Sequence, residues 1–442
     1  MSEVSSNISY VRTDEVPREP PPVTSSGVIG WMKENLFSSI PNTILTLIGI
    51  YIIYLLVPPV LKFSLIDAVF TGTGRDDCLA AEAGGHVGAC WPFVKAKLSQ
   101  FIYYQYPVDE RWRVNLTGFL FVIGLVPALI PRIPFKGLNI VYMLGVFPLV
   151  ALILLTGGNF SIPIWLWALT IVIFLIVAGL SLMPVFAGQA AIADQKESLV
   201  TVGAAFGLVA VIYIILGFDF GLAPVETPLW GGVMLTLIIS ITGIAASLPL
   251  GILFALGRRS TMPVVKMISI IFIEFWRGVP LVTVLFMSSV VLPLFLPEGV
   301  TFDKLLRALI GVALFSAAYM AEVVRGGLQA IPKGQYEGAM ALGLRYWEMM
   351  GLIVLPQALK LVIPGIVNTF IGLFKDTTLV LIIGLFDLLG AIQGSFADAN
   401  WSTPVTSHTG YLFAAIFYWI FCFGMSRYSI YMENRLHTGH KR

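Results

Sequence analysis

The sequence predicts an all-α, polytopic membrane protein of about ten transmembrane helices, and three observations carry that expectation. Hydrophobic residues make up 57% of the 442, charged residues only 12%, and the mean hydropathy is +0.88. A soluble chain ordinarily carries roughly 25% charge, so this much apolar side chain needs lipid around it. The apolar residues gather in uncharged stretches of about 20 residues or more, the length a helix needs to cross the hydrocarbon at 1.5 Å per residue. No strand-like alternation or internal repeat interrupts them. The formal net charge of +2 comes with no basic stripe, which argues against nucleic acid as a partner.

The elements follow in order. Residues 1–37 are polar, mix both charge signs and contain PREPPPV, and they are expected to be a disordered cytoplasmic tail. The uncharged gap between Glu34 and Lys62 holds the first span, and that between Arg113 and Arg132 the second. The 57 residues from Gly137 to Ala193 lack any charge, too many for one crossing, and TGGNFSIP is the turn expected to split them into spans three and four. Span five runs from Leu199 to Gly217. Together these spans form an N-terminal five-helix extension, residues 38–217, with a long outer loop at 62–113. Spans six to ten are placed near Pro228–Leu256, Lys266–Leu296, Leu306–Arg325, Leu361–Leu385 and Gly410–Met425.

Short loops rich in Lys and Arg mark the cytoplasmic side, and their distribution puts both termini in the cytoplasm. Arg132, Lys136, Lys196, Arg258, Arg259 and Lys333 fall on that side. Loop 62–113 is also basic, but at about 50 residues it is long enough for the rule to weaken. Cys78 and Cys90 both lie in it, on the oxidising side, and are expected to form a disulfide. The cysteines and scattered histidines make no metal-binding pattern, so no metal site is expected.

Charge inside a span is costly, on the order of 2.5 kcal/mol or more per residue, and marks candidate function. Such charges occur only in the back half. Glu274 and Arg277 stand three residues apart and would share a helix face, where they can neutralise one another or serve gating. Lys375 and Asp376 are adjacent and cannot face each other, so they are the better candidates for a substrate pathway. Thr377 and Thr378 would add hydroxyls for an ammonium or carboxylate.

Residues 326–360 form a charged loop between two apolar segments. Pro332 can start a short helix over KGQYEGAMAL, and Gly343 can end it in a left-handed cap, giving a compact knob on the cytoplasmic side. Small residues at Gly338, Ala339 and Gly343 would let the knob seat closely in another protein, with Glu337 pairing a cation there. Pro356 would turn the chain back to the membrane.

Glu337, Ala339, Gly343, Ile353, Leu355 and Pro356 also fit E-x-A, three residues, G, nine residues, I-x-L-P. That pattern resembles the coupling loop of ABC-importer permeases. With EFWRGVPL at 274–281, LPQAL at 355–359 and FKDTTL at 374–379, residues 228–436 resemble the permease core of the polar-amino-acid family of ABC importers, a MetI-like fold. The five leading spans are similar to the longer permease subunit of the general L-amino-acid type. One departure is Gly338, where the family pattern prefers alanine; glycine keeps the required smallness.

The resemblance implies a permease subunit in a bacterial inner membrane that passes amino acids from an extracytoplasmic binding protein into the cytoplasm. No G-x-x-x-x-G-K-[ST] phosphate loop occurs, so this chain is expected to bind no ATP and no other cofactor, and to be no enzyme. ATP would be hydrolysed by separate ATPase subunits. A second permease subunit, identical or related, would complete the pathway, since five core spans line only half of one. The alternative is a secondary amino-acid transporter driven by an ion gradient, with Lys375 and Asp376 as relay; it leaves the coupling loop unexplained.

Overall fold

The long uncharged stretches fold as helices. The computed structural model describes residues 27–79, 87–186, 196–295 and 302–436, and every structural statement below concerns these. Nine helices among them are long and apolar enough to cross a membrane, and a bent pair makes up to ten.

The chain divides into two compact units. The first contains α1 (Gly27–Asn35) and α2 (Ile40–Leu61). Helix α1 is a correction, since Gly27–Asn35 lies in the stretch expected to be a disordered tail; residues 1–26 fall outside those described. Ser39 caps α2 by accepting from Asn42 N at 3.3 Å, with proline in the first turn. No residue of α2 is buried, as suits a helix solvated by lipid on all sides. Beyond it, Ala89 N donates to Phe63 O and Gly88 N to Asp67 O, each at 2.8 Å. These bonds close a small loop held by the Cys78–Cys90 disulfide, whose Cα atoms are 5.8 Å apart.

The second unit contains everything from Trp91 onward. Helices α3 (Trp91–Tyr103), α4 (Arg111–Leu129), α5 (Lys136–Val141), α6 (Phe147–Thr156), α7 (Ile164–Phe186) and α8 (Lys196–Gly217) precede the core. The split inside the 57-residue uncharged stretch falls at Gly157, whose φ of 97° ends α6. Arg113, fully buried at the start of α4, binds Glu110 and donates to Leu154 O and Ala223 O at 3.4 and 2.9 Å. A buried guanidinium needs such complete pairing, and here it ties the start of α4 to the end of α6 and to the 218–225 connection.

The core starts with α9 (Gly232–Arg258), α10 (Pro263–Gly278) and α11 (Leu281–Phe286), then α12 (Lys304–Ala330). Helices α9 and α12 pack closely. A Cβ on Gly251 would sit 2.6 Å from Met320 Cγ, so the backbones approach only because that position is glycine. The seventh span is broken rather than straight. Helices α10 and α11, the latter continued to Phe295, meet at 103°. Pro280 forces Val279 out of the helical region, to φ −112° and ψ 134°.

Helices α13 (Lys333–Ala341), α14 (Tyr346–Glu348) and α15 (Leu355–Leu361) follow, then α16 (Ile363–Asp376), α17 (Leu388–Gly394) and α18 (Thr406–Leu436). Two buried clusters hold the core. One centres on Leu235, Ile239, Leu285, Val312 and Val380, the other on Met320, Val324, Val354 and Ala358.

Candidate functional site

The 326–360 loop begins later than its charge pattern suggests, because α12 continues to Ala330. Pro332 is the N-cap residue and the helix starts at Lys333. Gly343 adopts φ +78°, and the N–H groups of Gly343 and Leu344 return to Met340 O and Ala339 O at 2.9 and 3.2 Å. These bonds satisfy the last carbonyls of α13 in the left-handed cap that a glycine permits.

The motif residues do not all face the same way. Glu337, Gly338, Gly343 and Pro356 are exposed. Ala339 is 3% exposed and packs inward with Met349, Met350 and Val354, which corrects its expected place on the partner-facing surface. Its smallness lets α13 lie close on the helical turn at 349–354. Ile353 and Leu355 pack partly against the same cluster. The outward face instead carries Met340, Leu342 and Trp347, exposed by 57%, 79% and 70%.

Glu274 and Arg277 do not neutralise one another; each finds its partner on another helix. Arg258 Nη1 lies 2.9 Å from both Glu274 Oε1 and Glu322 Oε1. Arg325 binds Glu322 through two nitrogens, and Arg277 Nη1 is 3.6 Å from Glu322 Oε2. The i, i+3 spacing made a local pair possible, but α9 and α12 bring charges that reach better. Three helices are thereby joined at one charge cluster. The neighbouring Arg259 points elsewhere. Its Nη1 donates to Tyr336 Oη and Leu328 O, both at 2.9 Å, and its guanidinium lies 5.4 Å from the Tyr336 ring centroid.

Lys375 and Asp376 occupy the end of α16, where the helix tightens into the 3₁₀ segment Thr377–Ile383. Neither makes an ion pair with another described residue. Lys375 is exposed and Asp376 half-buried. The hydroxyls of Thr377 and Thr378 donate back to Phe374 O and Lys375 O at 2.9 Å, and Thr377 is buried. The 3₁₀ segment ends at Gly384, and the chain turns into α17 at Asp387, which is fully buried. Asp387 Oδ1 accepts from Gly390 N at 2.9 Å and Oδ2 from Tyr418 Oη at 3.0 Å. Beside it, Thr236 Oγ1 accepts from Leu388 N at 3.0 Å, and Gly232 N donates to Phe386 O at 2.8 Å. The start of α17 is thus pinned to α9 and α18.

Comparison with known proteins decides the family. The inner membrane amino-acid ABC transporter permease protein YhdY of Escherichia coli (strain K12) is 46% identical over 423 residues, covering 96% of this chain and 97% of its own. This chain belongs to the amino-acid ABC transporter permeases. The glutamate/glutamine/aspartate/asparagine transport system permease protein BztC of Rhodobacter capsulatus is 42% identical over 99% of this chain and all of its own length. Residues 247–438 match the family described as binding-protein-dependent transport system inner membrane component. A crystal structure of an amino acid ABC transporter with histidines is 27% identical over 46% of this chain and 92% of its own, with a TM-score of 0.41. The permease is accordingly a multi-pass inner-membrane subunit of an ABC transporter, a family in which ATP hydrolysis belongs to separate subunits.

Several residues that shape this permease's site were not read as site residues from its sequence: Arg258 and Arg259, which marked only the cytoplasmic side, and Glu322, Arg325, Tyr336, Asp387 and Tyr418. Asp387 had a readable signal, as the single ionisable residue between Asp376 and Asp398. Glu322 and Arg325 also stand three apart on one helix face. Which distant helix each charge meets was not readable.

Proposed function

We propose that this permease carries amino acids inward from an extracytoplasmic binding protein, driven by ATP that separate ATPase subunits hydrolyse. A second permease subunit completes the pathway, and both termini are cytoplasmic. The observation that carries the reading is the knob formed by α13 and its left-handed cap. It presents Glu337, Met340, Leu342 and Trp347 outward while Arg259 links its Tyr336 to the end of α9.

In this mechanism an ATPase holds the exposed face of α13. Displacement of α13 pulls on Arg259, and Arg258, one residue back on the same helix end, passes the movement to Glu274 of α10 and Glu322 of α12. Helix α10 ends at the 103° bend, so a small rotation there re-aims α11. Lys375 and Asp376 line the pathway, where they offer one site for a carboxylate and one for an ammonium. Their lack of ion partners among the described residues, and the acidic and amide amino acids for which BztC is named, support cargo of that polar class. Loop 62–113 is the extracytoplasmic side of the extension, which the Cys78–Cys90 bond supports.

The test is uptake of labelled glutamate and glutamine into proteoliposomes holding the assembled complex, with internal or external ATP or with an imposed ion gradient. Uptake that needs ATP and the binding protein supports the reading. Gradient-driven uptake by this chain alone, indifferent to ATP, would establish the secondary transporter instead.

A further inference from the structure

Between α11 with its continuation to Phe295 and helix α12 lies a cavity of about 350 Å³ that plays no part in the mechanism above. Its walls include Trp276, Val284, Ser288, Val291 and Gly311, and its one charged lining residue among those described is Arg307. Arg307 Nη1 donates to Ser289 O, but its Nε–H is buried and has no partner among the described residues. No carboxylate among the described residues pairs with it either. Asp303, one turn away, receives Leu306 N and the Thr227 hydroxyl. A guanidinium facing an apolar cavity without a counter-ion is costly unless something anionic arrives from outside.

Depth and opening narrow the choice. Helix α12 has 27 residues and is therefore about 40 Å long, against about 30 Å for the hydrocarbon. Arg307, in its first turn, then falls at the level of lipid headgroups. The cavity below is open at the side, where the lining residues Met287, Phe295 and Ile310 are 50%, 80% and 51% exposed. An amino acid fits poorly, because its ammonium would find a single side-chain acceptor, the Ser288 hydroxyl, in an apolar wall. A molecule with one anionic head and a hydrocarbon tail satisfies every surface.

We infer that this cavity binds a phospholipid, with its phosphodiester on the Arg307 guanidinium and one acyl chain between α11 and α12. The inference does not depend on which cargo is carried. Phosphate on arginine forms the strong, charge-assisted hydrogen bonds that the orphaned Nε–H lacks. A lipid held there also fills the angle between the two arms of the bent span, so its presence would stiffen the bend.

The experiment uses the assembled complex purified in mild detergent, with retained phospholipid counted by native mass spectrometry. Arg307→Gln removes the cation and Ser288→Leu fills the cavity while leaving Arg307 in place. Each variant should retain at least one phospholipid fewer per copy of this chain than the wild type, and after delipidation in detergent added phosphatidylglycerol should restore it only to the wild type. Elution volume and subunit ratio check that the variants assemble. Excess inorganic phosphate should leave retention in the wild type unchanged; displacement by phosphate alone would show a simple anion site and overturn the inference. Equal retention in wild type and both variants would also overturn it. So would efficient cross-linking of Met287→Cys to the second permease subunit, since the cavity would then be covered by protein.

Discussion

Tyr418 of α18 donates its hydroxyl to Asp387 Oδ2 at 3.0 Å, and the same carboxylate caps α17 through Gly390 N, so a single buried acid joins the last helix to the start of α17. Hydrogen bonds to a charged group contribute about 1.5–3 kcal/mol each, and an orphaned partner costs more. Tyr418→Phe should lower the Tm of the purified complex by an amount corresponding to about 2 kcal/mol. Asp387→Ala should cost more than that, because it also uncaps α17. Equal Tm values for wild type and Tyr418→Phe would mean that the bond holds nothing.

Arg259 and Tyr336 should behave as one unit. Arg259→Leu should lower uptake per ATP hydrolysed at least several-fold while ATP hydrolysis by the complex persists. A further Tyr336→Phe change should add little, since the two substitutions remove the same contact. Fully additive losses in the double variant would argue against that link.

Gly343 has open space around it, with nothing within 4 Å of a built Cβ, so only its backbone conformation resists substitution. A residue with a Cβ at φ +78° costs about 1–2 kcal/mol. Gly343→Ala should therefore be mild, with normal assembly and modestly reduced uptake. Gly343→Arg should abolish ATP-driven uptake while the permease still inserts, because its side chain extends over the face proposed to meet the ATPase. Normal uptake by Gly343→Arg would remove that face from the interface.

Asp376→Asn keeps the shape of the end of α16 and removes its charge. The ratio of glutamate to glutamine uptake should change with the complex intact, and Lys375→Met should shift it in the opposite sense. Unaltered uptake of every substrate by both variants would place the pair outside the pathway.

Lys97 of α3 forms an ion pair with Asp398, and with the Asn400 N–H it holds the Asp398 carboxyl below the usual carboxylate range. A lowered folded value stabilises the protein at every pH above the ordinary carboxylate pKa, and that contribution is lost as pH falls through the folded value. Amide-exchange protection of α3 should be flat from pH 8 down to about pH 5 and fall only below about pH 4. Lys97→Met should reduce protection of α3 at neutral pH; a loss beginning near pH 6 in the wild type would point to a different group.

The sequence by itself determined the class of this protein, its membrane setting, the split at Gly157 and the pairing of Cys78 with Cys90. These rest on local or bulk properties: the length of uncharged runs, the turn residues between them, and two cysteines in one short loop. The left-handed cap at Gly343 was legible for the same reason, since φ preference belongs to one residue. What only the tertiary structure decided is which helix answers each charge. Glu274 and Arg277 satisfy the spacing rule for a local pair, yet Arg258 and Glu322 take them because α9 and α12 pack closely at Gly251. Ala339 turned inward because α13 must bury one face, and Asp387 became a pin because α9 and α18 converge on it. Ion pairs and burial depend on separation in space, and helices dozens of residues apart set that separation only when they pack.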